Sequence, residues 1–132
     1  FGLGSHLGSS AKELPLGFKQ RLALACAVMH EPVVLFLDEP TSGVDPITRR
    51  EFWTHINGMV EKGITIMVTT HFMDEAEYCD RIALIYRGQE IATASPDHLK
   101  RQARREDLPD PTLEDAFIAL IEAFDARMQD AA

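Results

Sequence analysis

Two adjacent carboxylates, Asp38 and Glu39, end a run of five apolar residues, Val33–Leu37. An uninterrupted β-branched and aromatic run of this kind predicts a strand that is buried on both faces of a parallel sheet. Because α/β proteins place ligands at the carboxyl ends of parallel strands, the two acids are expected at a ligand-binding edge. One acid can then face a metal ion and the other a reacting water. Two ordinary solvated acids at a strand end are the alternative interpretation.

His71 stands at the carboxyl end of a second apolar run, residues 64–70, which predicts another strand. Asp45 as N-cap and Pro46 at the first helical position predict a helix between the strands, completing a right-handed βαβ unit. The predicted buried stripe of that helix is Phe52, Trp53, Ile56, Met59 and Val60. His71 is therefore expected beside the two acids, where it can hydrogen-bond a phosphate or hold a water. A histidine that only caps the next turn is the alternative.

The segment Leu14–Arg21 opens a further helix, whose N-terminal N–H groups suit a phosphate. A Pro/Gly turn before an ordinary helix explains the same residues. The helix is predicted over Phe18–His30 and is stopped by Pro32. Its predicted apolar face is Leu22, Ala25, Cys26 and Met29.

The rest of the chain predicts supporting elements. Residues 72–79 predict a short helix, and residues 82–93 predict a β-hairpin that turns at Arg87-Gly88. Two more helices are expected after Ser95-Pro96 and after Thr112. The last helix carries an apolar face of Leu113, Phe117, Leu120, Ile121 and Phe124. A basic cluster is interpreted as a solvated face: Lys100, Arg101, Arg104 and Arg105.

Composition limits the classes of protein to consider. The 132 residues are 45% apolar, which excludes disorder and suits one compact α/β domain. No apolar stretch approaches the roughly 20 residues that span a bilayer. A net charge of -8 argues against a nucleic-acid surface. Cys26 and Cys79 are expected to be reduced, buried thiols rather than a disulfide.

Taken together, these segments resemble motifs of ABC transporter ATPases in the family's order. Leu14–Val28 is similar to the signature helix and Val33–Thr41 to the Walker B strand. Ser42–Pro46 is similar to the D-loop and Thr69–His71 to the H-loop. Pro111–Phe117 resembles the tail of ABC-2-type exporter ATPases. Four motifs in order are far more specific than any one of them.

The resemblance implies a P-loop NTPase-like α/β fold, with a parallel sheet and flanking helices, and Mg²⁺-dependent ATP hydrolysis. It makes Asp38 the acid that holds Mg²⁺ through water, Glu39 the catalytic base and His71 a contact of the γ-phosphate. It assigns the remaining residues to nucleotide sites shared by two subunits: Ser42, Gly43 and Asp45 of the D-loop, and Leu14, Pro15, Leu16 and Gly17 of the signature.

The same resemblance implies partners and a location. Two nucleotide-binding domains would form a head-to-tail dimer and drive export through transmembrane permease subunits, with no nucleic acid involved. The chain would then be cytoplasmic, held at the inner face of the membrane by the permease. Two alternatives stay open, a soluble ABC ATPase outside transport and a non-catalytic regulatory module of the same fold.

The signature departs from the family pattern. Leu14-Pro15-Leu16-Gly17-Phe18 occupies slots that usually read Leu-Ser-Gly-Gly-Gln. Pro15 removes a hydroxyl and an N–H, and Leu16 places a bulky side chain where glycine lets the backbone approach a phosphate. This predicts an asymmetric pair of subunits with one degenerate site.

The sequence contains no Gly-x-x-x-x-Gly-Lys-[Ser/Thr] loop, which cradles phosphates in this family. The chain is therefore expected to be the C-terminal part of a nucleotide-binding domain that binds ATP poorly by itself. In that interpretation residues 1–31 end the helical subdomain, residues 32–95 form the core with Walker B, D-loop and H-loop, and residues 96–132 form C-terminal helices.

Overall fold

Residues 1–130 are the part of the chain that the computed structural model describes. The last two residues of the predicted segment 96–132 lie outside the described residues. The chain divides into two units between His71 and Phe72. No helix within residues 1–130 is both long and apolar enough to cross a membrane.

The N-terminal unit is built on the predicted βαβ crossover. Its elements are a 3₁₀ turn (Gly4–His6), helix α1 (Leu16–Val28), strand β1 (Val34–Asp38), helix α2 (Pro46–Val60) and strand β2 (Thr65–Thr69). The two strands pair in parallel, from Val34 opposite Thr65 to Asp38 opposite Thr69. The predicted parallel connection is therefore confirmed.

Helix α2 begins as its sequence predicts. Asp45 Oδ1 accepts hydrogen bonds from the N–H groups of Ile47 and Thr48 at 3.1 and 3.0 Å, and Pro46 is the first helical residue. Four of the five predicted stripe residues are buried: Phe52, Trp53, Ile56 and Met59. Val60, the last residue of the helix, is 39% exposed.

Strand β1 is buried on one face only, which corrects the prediction of two buried faces. Leu35 is 7% exposed, whereas its neighbour Phe36 is 72% exposed. Successive side chains of a strand point to opposite faces, and α2 packs against the two-stranded sheet of its unit. Within the described residues, the face that carries Phe36 lacks an equivalent cover.

The predicted apolar face of α1 is only partly correct, because Leu22 and Ala25 are half-buried whereas Cys26 and Met29 are exposed. Arg21 and Leu24 are the buried residues of this helix, whereas Met29 is 80% exposed. Arg21 forms an ion pair with Glu51 of α2, so its burial does not leave an uncompensated charge. This pair turns a polar position of α1 toward α2, which a pattern of apolar residues does not reveal.

The two cysteines are free thiols, as predicted, but they differ in exposure. Cys26 lies exposed on α1, which corrects its predicted burial. Cys79 is half-buried, and burial, together with the charges of Asp80 and Glu75, raises the pKa of its thiol.

The second unit contains the predicted hairpin and helices. Its elements are helix α3 (Met73–Ala76), strands β3 (Ile82–Tyr86) and β4 (Gln89–Ala94), helix α4 (Pro96–Ala103) and helix α5 (Leu113–Asp130). The strands pair antiparallel across Arg87-Gly88. Ser95 caps α4, and Thr112 caps α5 through an exchange of hydrogen bonds with Asp115. The core is Ala76, Ile82, Leu84, Leu99, Ala103, Leu113 and Ala116.

Candidate functional site

The carboxyl ends of β1 and β2 bring the two acids and the histidine to one edge of the sheet. Asp38 ends β1 and Glu39 follows it, while His71 lies two residues beyond the end of β2. His71 Nδ1 is 3.3 Å from Glu39 Oε1. The structure therefore places these three residues together, as the order of the strands predicts.

Thr69 is a site residue for which the sequence predicts no role beyond its place in the H-loop segment Thr69–His71. Its hydroxyl donates a hydrogen bond to Asp38 Oδ1 and accepts one from the Glu39 N–H at 3.1 Å. The signal for it was present in the strand lengths. Two parallel strands of five residues, in register, place their last residues, Asp38 and Thr69, opposite one another.

The backbone at Glu39 adopts an uncommon conformation. Its φ of 41° lies in the left-handed region, which costs a residue with a Cβ about 1–3 kcal/mol. The Glu39 N–H donates to the Thr69 carbonyl at 3.0 Å, and the Glu39 carbonyl accepts from the Ser42 N–H at 3.1 Å. These bonds hold the bend that directs the chain out of the sheet just after the acids.

The site is open to solvent. The side chains of Glu39 and His71 are 51% and 58% exposed. A ligand can therefore reach both side chains from solvent.

The loop 42–45 lies against the beginning of α1. Gln20 Nε2 donates a hydrogen bond to the Ser42 carbonyl at 3.2 Å. Gly43 has a φ of 75°, and a Cβ added there would lie 3.2 Å from Leu16 Cδ2. The predicted D-loop and signature segments are thus neighbours within this unit.

The four predicted signature residues differ in their surroundings. Leu14 is 7% exposed and anchors the segment, whereas Pro15 is the N-cap residue of α1 and makes no side-chain cap. Leu16 is 49% exposed. A Cβ at Gly17 would lie 2.4 Å from Thr48 Cγ2, so glycine is required there for the close approach of α1 and α2.

Asp45 is engaged with the start of α2. The Thr48 hydroxyl and the Thr48 N–H hold the pKa of the Asp45 carboxyl below its usual value. At neutral pH the residue is therefore a charged helix cap, and the loop 42–45 is fixed to α2 at its last residue.

The oxygen atoms at the edge of the sheet suit Mg²⁺. This ion is usually bound through one or two carboxylates, with waters and substrate phosphates completing its octahedron. Asp38 and Glu39 offer such carboxylate oxygens. Among residues 1–130, no three His, Cys, Asp or Glu side chains cluster in a way that could hold a metal by themselves. The donor set fits Mg²⁺ that arrives with a phosphate substrate.

Comparison with known proteins identifies the family of the chain. The family model described as ABC transporter matches residues 3–42. Over 125 residues the chain is 70% identical to the probable multidrug ABC transporter ATP-binding protein YbhF of Escherichia coli, which covers 95% of this chain and 22% of YbhF. The chain belongs to the ABC transporter ATP-binding family.

Further relatives agree with the ABC assignment. The Nod factor export ATP-binding protein I of Burkholderia orbicola is 48% identical over 88 residues, 66% of this chain and 29% of that protein. The chain thus spans less than a third of the length of these curated ABC relatives.

Solved structures carry the same ABC ATPase fold. An ATP-binding subunit of an ABC transporter matches with a TM-score of 0.70 at 29% identity, over 87% of this chain and 47% of that one. The cbiO1 protein of Clostridium perfringens, part of the ABC transporter complex cbiONQ, matches with a TM-score of 0.65 at 35% identity, over 69% of this chain and 37% of that one. The predicted ABC ATPase fold class, a partial parallel sheet with flanking helices, is confirmed.

Proposed function

We propose that this chain supplies the hydrolytic residues of the ATP-binding subunit of an ABC exporter. The observation that carries the proposal is the meeting of Asp38, Glu39 and His71 at one exposed sheet edge. Relatives named for multidrug transport and Nod factor export support an exporter. The similarity of Pro111–Phe117 to ABC-2-type tails favours that subfamily.

Glu39 acts as the general base of the reaction. Its carboxylate is exposed, and the left-handed bend places it just beyond the end of β1, where it can take a proton from an attacking water. His71, in contact with Glu39 Oε1, holds that carboxylate on one side and hydrogen-bonds the γ-phosphate on the other. The reaction is in-line displacement at the γ-phosphorus. The oxygen of the water bonds to phosphorus, the bond to the β–γ bridging oxygen breaks so that ADP leaves, and the proton of the water is transferred to Glu39.

Asp38 supports the metal. Its carboxylate, oriented by the Thr69 hydroxyl, would hold the water shell of Mg²⁺. When bound, this ion would neutralise negative charge on the phosphates. ATP and Mg²⁺ are thus the substrate and cofactor of the proposed reaction.

The loop 42–45 and the beginning of α1 face a second nucleotide-binding domain. We assign Ser42, Gly43 and Asp45 to contacts with that partner, and Leu14–Gly17 to ATP that the partner holds. Pro15 and Leu16 make this second contact poorer in hydrogen bonds, which favours an asymmetric pair of sites. The dimer works on transmembrane permease subunits, which place the chain at the cytoplasmic face of the membrane.

The chain is the C-terminal part of its nucleotide-binding domain, with residues 1–31, 32–95 and 96–132 in the roles predicted above. No Gly-Lys-[Ser/Thr] loop is present in its sequence, so other residues hold the phosphates. In this proposal the general base lies in this chain, and the loop that binds the phosphates lies in another segment of the domain.

A chimera tests the proposed function. In it, this chain replaces the matching segment of E. coli YbhF, to which it is 70% identical. Glu39→Gln is expected to lower kcat for ATP at least about 100-fold, as for loss of a general base. Glu61→Gln, at the exposed end of α2, is the matched control and should leave kcat unchanged. An active chimera that Glu39→Gln does not impair would overturn the proposal, and an ATP-binding but inactive chimera would favour the regulatory module.

A further inference from the structure

We infer that Thr69 is a positioning residue that sets both acids of the site through one hydroxyl group. The inference rests on the proposed function, because it gives Asp38 and Glu39 the roles described above. Thr69 is not expected to touch the nucleotide. It acts through Asp38, which is assigned to the water shell of Mg²⁺, and through Glu39, which is assigned to the attacking water.

The strand register creates this arrangement. Asp38 and Thr69 are partners across the parallel pair β1–β2, and both are the last residues of their strands. Partner residues in neighbouring strands project from the same face of a sheet, so the hydroxyl lies beside the Asp38 carboxylate. The Thr69 hydroxyl donates to Asp38 Oδ1 and thereby fixes the rotation of the carboxylate.

The same oxygen serves the second acid. A hydroxyl has one donor and two acceptor lone pairs, so Thr69 Oγ1 can donate to Asp38 while it accepts from the Glu39 N–H at 3.1 Å. The Glu39 N–H also donates to the Thr69 carbonyl at 3.0 Å. One residue of β2 therefore provides both acceptors for the amide of the base.

The amide bonds matter because Glu39 is strained. A φ of 41° persists only where neighbouring contacts hold it, and the two Thr69 acceptors are such contacts. Removal of the hydroxyl leaves the Thr69 carbonyl in place, so the bend survives with less restraint. The expected result is a folded protein whose two acids are poorly placed.

Only a hydroxyl-bearing residue fits this role. Serine keeps both hydrogen bonds, whereas valine keeps the β-branched shape and neither bond. Thr65 provides a matched control, because it lies on the same face at the other end of β2, opposite Val34 and away from the acids.

The kinetic experiment compares Thr69→Val, Thr69→Ser and Thr65→Val in the YbhF chimera. Thr69→Val is expected to lower kcat about 10- to 100-fold with KM for ATP within about twofold, and to raise the Mg²⁺ concentration for half-maximal rate. Thr69→Ser and Thr65→Val should stay within about threefold of the parent. Equal activity of Thr69→Val and the parent, or equal losses in Thr69→Ser and Thr69→Val, would overturn the inference. In either case the proposed function is retained if Glu39→Gln still lowers the activity of the chimera.

A second measurement does not depend on nucleotide. In this chain by itself, amide hydrogen exchange followed by NMR should show faster exchange of the Glu39 N–H in Thr69→Val, by at least about fivefold, because one of its two acceptors is gone. The Leu37 N–H, within the same strand, should exchange at the parent rate. Unchanged exchange at Glu39 would contradict the positioning role even if activity fell.

Discussion

His71 Nδ1 and Glu39 Oε1 lie 3.3 Å apart across the ends of two parallel strands. Both side chains are more than half exposed, so packing restrains them little and each lies within reach of the other. A change in the position of His71 therefore changes the environment of the proposed base.

The histidine contact predicts the effect of truncation. In the YbhF chimera, His71→Ala is expected to lower kcat about 10- to 100-fold, the effect of losing a hydrogen bond to a charged group. His30→Ala, an exposed residue just after α1, is the control and should be neutral. Steady-state phosphate release measures both. Equal rates in the two variants would remove His71 from the site.

The close approach of Gly17 to the methyl group of Thr48 predicts that a larger residue at position 17 lowers the free energy of unfolding. Gly17→Ala places a Cβ 2.4 Å from Thr48 Cγ2 and should destabilise the N-terminal unit by about 1–3 kcal/mol. Thr48→Ser removes that methyl group and keeps the hydroxyl that bonds Asp45. The double variant should therefore recover most of the loss, as measured by urea unfolding.

Gly58 is the matched control for this test. It lies within α2, and a Cβ added there meets nothing within 4 Å. Gly58→Ala should stabilise the protein by about 0.5–1 kcal/mol, because alanine favours the helix. If Gly17→Ala behaved like Gly58→Ala, close approach of α1 and α2 would not be the reason for glycine at position 17.

The cap of α5 predicts a pH dependence. Hydrogen bonds from the hydroxyl and the N–H of Thr112 lower the pKa of Asp115. The folded state therefore favours the ionised carboxylate, and this stabilisation is complete above the ordinary aspartate pKa of about 3.9. It is lost as the pH falls through the lower, folded value.

The free energy of unfolding of the parent should accordingly exceed that of Asp115→Ala by the largest amount at pH 7. This difference should decrease below about pH 4. Asp110→Ala, in the exposed linker before α5, should show a small difference at every pH. Urea midpoints followed by circular dichroism give the comparison. If the difference in free energy of unfolding between the parent and Asp115→Ala increased as the pH fell, the pKa of Asp115 would be raised in the folded state and not lowered.

The isolated chain should bind Mg-ATP with a Kd above about 1 mM, since it has no Gly-Lys-[Ser/Thr] loop to hold the phosphates. The YbhF chimera, tested in parallel, should bind more tightly. Isothermal titration calorimetry measures both affinities. A micromolar Kd for the isolated chain would show that its own residues suffice.

The sequence predicts those parts of the fold that depend on residues close together in the chain. Asp45-Pro46 predicted the start of α2, and the alternation of two apolar runs with one helix predicted the parallel strands. The convergence of Asp38, Glu39 and His71 followed from that connection, because parallel strands end at the same edge.

Other features depended on partners distant in sequence. The burial of Arg21 needs Glu51, 30 residues away, and the requirement for Gly17 comes from a methyl group on Thr48. The H-loop motif contains Thr69 but gives it no role, because that role depends on the strand register, which places its hydroxyl against Asp38. The apolar run Val33–Leu37 predicts that Phe36 is a core residue, whereas the structure shows that its side chain is exposed.

The central claim is that Glu39 is the base of ATP hydrolysis. Single-turnover hydrolysis of radiolabelled ATP by the YbhF chimera tests it most directly, with the parent and Glu39→Gln loaded to the same ATP occupancy. The account predicts that the parent converts its bound ATP to ADP, whereas Glu39→Gln retains intact ATP at least about 100 times longer. Conversion of bound ATP at the same rate in both proteins would contradict the account.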